Sequence, residues 1–255
     1  LANHVEYLWM IRDVPRHSLE RIVPCGTLEL VINLEENQVR ICDDDGHVVR
    51  RLDGAVVSGV YRRYFVVDTR EHAAMIGAHF RPGCAGAVLG IPPGELADLH
   101  VELVDLWGPD ARVLRERLCE ARDPAEAFAL FEAALVARLA LGGRTHEAIP
   151  HALALVARSA RIGEVATEIG LSRRRLIEVF TQDVGVTPKR MGRLLRLQRA
   201  LASVERGIDW TAAALASGYY DQAHLIRDCN ELAGMPPSAL VRASTGVKPH
   251  HARAR

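Results

Sequence analysis

The sequence predicts an α+β chain of two domains. A β-rich N-terminal barrel or sandwich, with helices after it, precedes an all-α C-terminal domain with two helix-turn-helix motifs joined by a linker helix. Three observations carry this. Residues from Ile162 to Leu240 say nearly the same thing twice, and an internal repeat marks a duplicated unit. Short apolar runs separated by polar or glycine-containing breaks fill the chain up to Phe80. The charge is zero overall but divided: 16 Lys+Arg against 22 Asp+Glu up to Arg144, then 16 against 10 from Thr145. An acidic half joined to a basic half fits a nucleic-acid-binding module fused to something else, and 255 residues suit two domains.

In chain order, Leu28, Leu30, Ile32 and Leu34 alternate on one face of a strand. VRIC, the turn Asp43-Asp44-Asp45-Gly46 and HVVRRL read as a hairpin. AVVSGV, YFVVD and MIGAHF follow as further short strands, and strands at this spacing suggest a sandwich or barrel. Ile91-Pro92-Pro93-Gly94 ends a helical turn at Ala85 to Leu89. Pro109 to Glu120 and Pro124 to Leu141 read as helices, the second with Phe128, Phe131, Leu135 and Leu139 along one stripe. Leu141-Gly142-Gly143-Arg144-Thr145 is the linker candidate.

The repeat then begins. Ala166 and Gly170 recur as Ala214 and Gly218, an offset of 48; Ser172, Leu176, Phe180, Gly185 and Pro188 recur as Asp221, Leu225, Cys229, Gly234 and Pro237, an offset of 49. Small alanines let a second helix cross closely. Gly170 and Gly218 suit a left-handed turn, and Ser172 and Asp221 suit N-caps. Leu176, Val179 and Phe180, like Leu225 and Cys229, make an inward face. Helix, glycine turn, helix is the helix-turn-helix signature. Between the copies, Pro188 to Gly207 reads as one helix with Leu194, Leu197 and Leu201 at helical spacing. Twenty helical residues span about 30 Å, close to the roughly 34 Å of a DNA turn. Arg173, Arg174, Arg175, Lys189, Arg190, Arg193, Arg196 and Arg199 concentrate positive charge here.

With these residues in view, Thr145 to Val247 resembles the DNA-binding domain of AraC/XylS-family transcription regulators, most specifically in GYYDQAHLIRDCNELAGMPP. The segments PCGTLEL, GAHFRPG and LVDLWG resemble the poorly characterised β-rich N-terminal domain of a subset of these regulators. The resemblance implies a β-rich sensor or dimerisation domain over 1–141 and a DNA-binding domain over 145–247. Residues 248–255 form a basic tail expected to be disordered. Double-stranded DNA, RNA polymerase, a small-molecule effector and a second copy of the chain are the implied partners. It places Arg174, Ile177 and Glu178 in base-facing positions, where many relatives carry Arg in place of Glu178. Ser172 and Arg173 open that helix. In the second motif Asp221 caps and Gln222, His224 and Arg227 face outward; Gln pairs with adenine and Arg with guanine. Lys189 and Arg190 are expected among the DNA-binding residues, and Arg196 and Arg199 are expected at most to touch phosphates.

Other chemistry has little support. GxSxG, P-loop, HExxH and GxGxxG patterns are absent from the sequence, so no catalytic residue and no cofactor is expected. The eleven histidines lack the HxH pair and downstream carboxylate of a metal-binding cupin, so no metal ligands are assigned. His72 and His79 fall on or near strands. Aromatics beside charged groups suit a small-molecule pocket, which makes Tyr7, Trp9, Glu29 and Arg81 the ligand-binding candidates. The alternative is a covalent or redox sensor with Cys84 as acceptor, because Arg81 is close in sequence and a cation lowers a thiol pKa. No run of 18 apolar residues occurs, so no membrane-spanning helix is expected. The opening stretch lacks a basic region before an apolar run. The five scattered cysteines suit a reducing compartment, so a cytoplasmic location is expected.

Overall fold

The alternation at Leu28 to Leu34 becomes strand β3 (Glu29–Asn33). It stops one residue early because Asn33 Oδ1 accepts from the amides of Glu35 and Glu36, closing a side-chain turn. The computed structural model describes residues 1–13, 17–70, 72–142, 145–244 and 250–254. Gly143 and Arg144 of the expected linker, residues 245–247 at the end of the expected DNA-binding domain, and Lys248, Pro249 and Arg255 of the expected tail lie outside the described residues. One antiparallel sheet runs β1-β8-β3-β6-β9, formed by β1 (Val5–Arg12), β8 (Ala74–Phe80), β3, β6 (Ala55–Ser58) and β9 (His100–Glu102). The second runs β10-β2-β7-β4-β5, formed by β10 (His251–Arg253), β2 (Leu19–Ile22), β7 (Phe65–Asp68), β4 (Val39–Cys42) and β5 (Val48–Leu52). Among the described residues these are two sheets and not a closed barrel. The acidic turn between β4 and β5 is held by Asp43 Oδ1, which accepts from the amides of Asp45 and His47, with Gly46 at φ 86°.

Four helices cover the first sheet: α1 (Gly86–Leu89), α2 (Leu103–Trp107), α3 (Pro109–Cys119) and α4 (Pro124–Ala140), with a 3₁₀ turn at Pro93–Leu96. Asp123 caps α4, accepting from the Glu126 amide. The α4 stripe is core: Phe131 and Leu135 are fully buried, with Phe128 and Leu139 packed beside them.

The C-terminal helices are α5 (Ile149–Ala157), α6 (Ile162–Glu168), α7 (Arg173–Val184), α8 (Pro188–Glu205), α9 (Trp210–Ala216), α10 (Gln222–Ala233) and α11 (Pro237–Ala243). They do not hang from the β-rich part on a string. One apolar cluster runs from Leu30, Ile76 and Phe80 through Trp107 to Ile149, Phe180 and Met191. Gly26 sits so close to Met191 that a Cβ there would lie 2.6 Å from the sulfur. Gln198 Nε2 donates to Cys25 O at 3.1 Å, Arg21 Nη1 to Ala233 O at 3.0 Å, and the Tyr64 amide to Leu232 O at 2.9 Å.

The tail departs from expectation. His251–Arg253 is a strand paired with Ile22, Arg21 and Glu20 of β2, and Ser244 bridges to Ala252. The edge of β2 offers unpaired backbone groups, and an extended segment satisfies them. His251 Nδ1 also meets Glu20 at 2.9 Å, which basic composition alone does not reveal.

Candidate nucleic-acid interface and ligand cavity

Each repeat folds as its residues dictate. In the first, Gly170 takes φ 71° after α6, and Ser172 caps α7 by accepting from the Arg175 amide at 3.2 Å. In the second, Asp209 caps α9 and Gly218 takes φ 87°. Asp221 caps α10, accepting from the His224 amide at 2.7 Å. Gly185 and Gly234 end the two second helices at φ 90° and 70°, each 12 residues long. Leu176, Val179 and Phe180 bury one face of α7, and Leu225, Cys229 and Leu232 one face of α10. Burial pushes the Cys229 thiol up to about 12, so it acts as a small core residue.

The opposite faces stand open. On α7, Arg173, Arg174, Ile177 and Glu178 are exposed together. Glu178 is tied to Arg174 at 2.9 Å and to Arg175 at 3.6 Å, an i,i+4 and i,i+3 arrangement. The hydrogen bond from Arg174 holds the Glu178 carboxyl below its ordinary range. The open surface of α7 is thus a charge-paired patch rather than a row of cations. On α10, Gln222 and Arg227 are exposed, and Gln222 accepts from Thr211 at 3.5 Å. His224 is half-buried, edge-on to Tyr219. Tyr220, 87% exposed immediately before the cap, is a residue that sequence reasoning overlooked; its signal was the doubled Tyr in the turn.

Several of the basic residues clustered in this part of the sequence are committed elsewhere. Lys189 is exposed and shares a shallow groove with Arg173 and Arg161 at the starts of α6, α7 and α8. Arg190 is different. Its side chain is 15% exposed, pairs with Glu231 at 2.8 Å and donates to Arg62 O. Arg193 bridges α8 to Asp228 and Glu231. Arg196 lies over the Tyr219 ring, and Arg199 donates to Ala157 O and Ser159 Oγ. Their spacing gave them the look of one basic face, but four of them serve as clamps between helices.

The two sheets enclose a cavity of about 430 Å³, within the usual size of small-molecule sites. Of the four ligand-binding candidates, Trp9 and Glu29 line it, joined by Trp9 Nε1 donating to Glu29 Oε1 at 2.8 Å. Tyr7 and Arg81 do not line it. Tyr7 stacks on His79 with ring centroids 4.8 Å apart, and Arg81 Nε donates to Ala2 O at 2.9 Å. Apolar walls come from Val31, Val56 and Val67, and polar groups from Glu20, His251 and Arg253. The C-terminal strand therefore forms part of the wall. Cys84 is half-buried, and desolvation outweighs Arg81 to push its thiol pKa up, the reverse of an activated acceptor.

A β-rich domain with an internal cavity, fused to a duplicated helix-turn-helix unit, defines the class. A domain of unknown function (DUF6597) matches residues 1–102, and a helix-turn-helix domain model matches residues 165–243. The C-terminal region is a helix-turn-helix domain. The chain is similar in fold to solved structures of ToxT, an AraC-family regulator from Vibrio cholerae. An apo ToxT variant gives a TM-score of 0.52 at 11% identity, covering 92% of this chain and 96% of that one. A second ToxT structure gives 0.50 at 12%, covering 94% and 98%. No curated protein sequence matches the chain. Among the described residues no helix is long and apolar enough to cross a membrane.

Proposed function

We propose that this chain is a sequence-specific DNA-binding transcription regulator. Its two helix-turn-helix units read successive major grooves, and its cavity receives a small-molecule effector. The observation that carries the reading is the pair of capped 12-residue helices, each with one face buried and the other open. In the second, exposed Gln222 and Arg227 offer donors suited to adenine and guanine edges. In the first, Ile177 suits a thymine methyl, while the Arg174–Glu178 pair supplies little net charge. We therefore assign most base discrimination to α10.

The cavity supports the effector. It has aliphatic walls, Trp9 and a few placed polar groups, the composition of an effector pocket. It adjoins the carboxyl end of the second motif through Ser244 and β10. A bound molecule would change the support under α11, which gives effector and DNA a shared structural element. The absence of catalytic motifs and the raised Cys84 thiol favour this over an enzyme or covalent sensor. Homodimerisation and contact with RNA polymerase stay with the proposal as properties of such regulators.

Selection of preferred duplexes from a random pool, with the purified full chain, tests it. A bipartite site with its stronger half under α10 is expected. Salt-sensitive binding without any sequence preference would overturn it.

A further inference from the structure

Three side chains with no part in DNA reading meet from distant parts of the chain. Cys25 follows β2, His79 lies on β8, and His250 precedes β10. One donor atom from each lies within 4.8 Å of the other two. His250 also belongs to a second trio with Glu29 and His251, again within 4.8 Å. The Thr27 hydroxyl stands 3.0 Å from Cys25 Sγ and 2.9 Å from His79 Nε2. The sulfur and the imidazole nitrogen thus face a common point.

The donor set has a definite chemistry. Thiolate and two imidazoles suit Zn²⁺ with a fourth position left to water, at about 2.3 Å for sulfur and about 2.0–2.1 Å for nitrogen, which sets tetrahedral donors about 3.5 Å apart. Donor atoms within 4.8 Å of one another reach that spacing by a contraction of about 1 Å. Neighbours hold His79. Tyr7 stacks parallel to His79, 5° between planes. Trp9 Nε1 anchors Glu29 Oε1, which stands 4.0 Å from His79 Nδ1. Such outer contacts orient metal ligands.

We propose that Cys25, His79 and His250, with the fourth position open to water, form a zinc-class divalent metal site that ties the strand His251–Arg253 to the N-terminal sheets. As the metal–sulfur bond forms, the Cys25 thiol gives its proton to solvent and the imidazoles bind as neutral donors. The metal ties together β8, the segment before β3 and the strand that follows α11. Its occupancy therefore bears on the second helix-turn-helix unit. The other candidate trio, Asp43, Asp45 and His47, is partly exposed on the β4–β5 turn, where the carboxylate of Asp43 already holds the turn amides.

The test uses the full chain, reduced and stripped with a chelator, then titrated with Co²⁺ and displaced with Zn²⁺. Saturation at a single equivalent is expected. It should bring the intense visible absorption of tetrahedral cobalt, and a near-ultraviolet sulfur-to-cobalt band that Zn²⁺ removes. Cys25→Ser should lose the sulfur band. His250→Ala should weaken binding by at least about 100-fold, beyond the roughly 10–100-fold cost of an outer-contact change such as Trp9→Phe. His47→Ala should change nothing. A wild type without the sulfur band, or a His250→Ala chain binding as tightly as wild type, overturns the proposal. Because His250 lies outside the main core, the affinity of its variant stays measurable even if Cys25→Ser fails to fold.

Discussion

Arg193 reaches from α8 to α10, where its guanidinium meets Asp228 at 3.0 Å and Glu231 at 2.6 Å. Asp228 is 5% exposed and also accepts from the Tyr219 hydroxyl at 3.2 Å. Arg227, one residue before Asp228, is exposed and shows no side-chain partner among the described residues. The acidic groups that could have held Arg227 to its own helix are already engaged by α8. Arg193→Ala should therefore cost about 3 kcal/mol of stability, the low end for breaking a buried ion pair, because Tyr219 still serves Asp228. Arg227→Ala should leave stability within about 0.5 kcal/mol while costing about 1–3 kcal/mol on the preferred site. Melting curves and site selection on both variants check this; an Arg227→Ala chain that melts early but keeps its base preference would falsify the assignment. The latch also has a pH signature. The hydrogen bond from Arg193, then that from Arg190, depresses the Glu231 carboxyl to about 2. A depressed carboxylate stabilises the fold above its unfolded pKa and loses that contribution as pH falls through the folded one. The stability gap between wild type and Glu231→Gln should be widest above about pH 4.5 and close toward pH 2.

At the scale of elements, α8 is more than a spacer. Met191 belongs to the large core shared with the β-rich domain, whereas Leu194 and Leu197 belong to the cluster under α9 and α10. Proline at 197 removes a backbone donor and clashes with the preceding turn, at about 3 kcal/mol or more. It does so inside the second motif's core. Leu197→Pro should lose the footprint under α10 while the α7 half-site stays protected, and limited proteolysis should cut after α8. Protection of both half-sites in that variant would show that α8 does not couple them. The local elements were legible because their causes are local: Ser172 and Asp221 beside their amides, Gly170 and Gly218 in the turns, leucines at helical spacing. β1 was not, because VEYLWMIR has no alternation and most of its positions are only partly covered. β10 was not, because its reason is the open edge of β2, some 230 residues earlier. The same holds at the sites. Trp9 and Glu29 carried a readable pocket composition. The clamp roles of Arg190 and Arg199 depend on partners, Arg62 and Ala157, that only the tertiary fold supplies.

At the scale of the molecule, the division at Leu141 to Thr145 separates sequences more than it separates cores. Ile149, Val156, Phe180, Val184 and Met191 are buried in the same apolar cluster as Leu30, Ile76 and Phe80. Thr145 Oγ1 donates to Gly83 O at 3.0 Å, and Gly185 packs so closely on Val60 that a Cβ would lie 2.9 Å away. A fragment beginning at Thr145 keeps both helix-turn-helix units but exposes the surface these residues share with the β-rich part. Apolar surface stabilises by about 25 cal/mol per Å² when buried, so the fragment should melt well below the full chain. The full chain should melt in one transition, since a shared core cannot unfold by halves. The fragment should still bind its preferred site, because Gln222 and Arg227 lie exposed on α10, though more weakly wherever α7 and α10 depend on that support for their mutual setting. Calorimetry of both proteins, with titration of one selected duplex, decides the matter. Two separate transitions in the full chain, with the later one matching the fragment, would mean that the shared cluster contributes little to stability and that an effector must reach α10 by another route. A single transition that an effector shifts upward, by about 2.7 kcal/mol at a hundred times its Kd, is the outcome expected of a cavity built into one cooperative core.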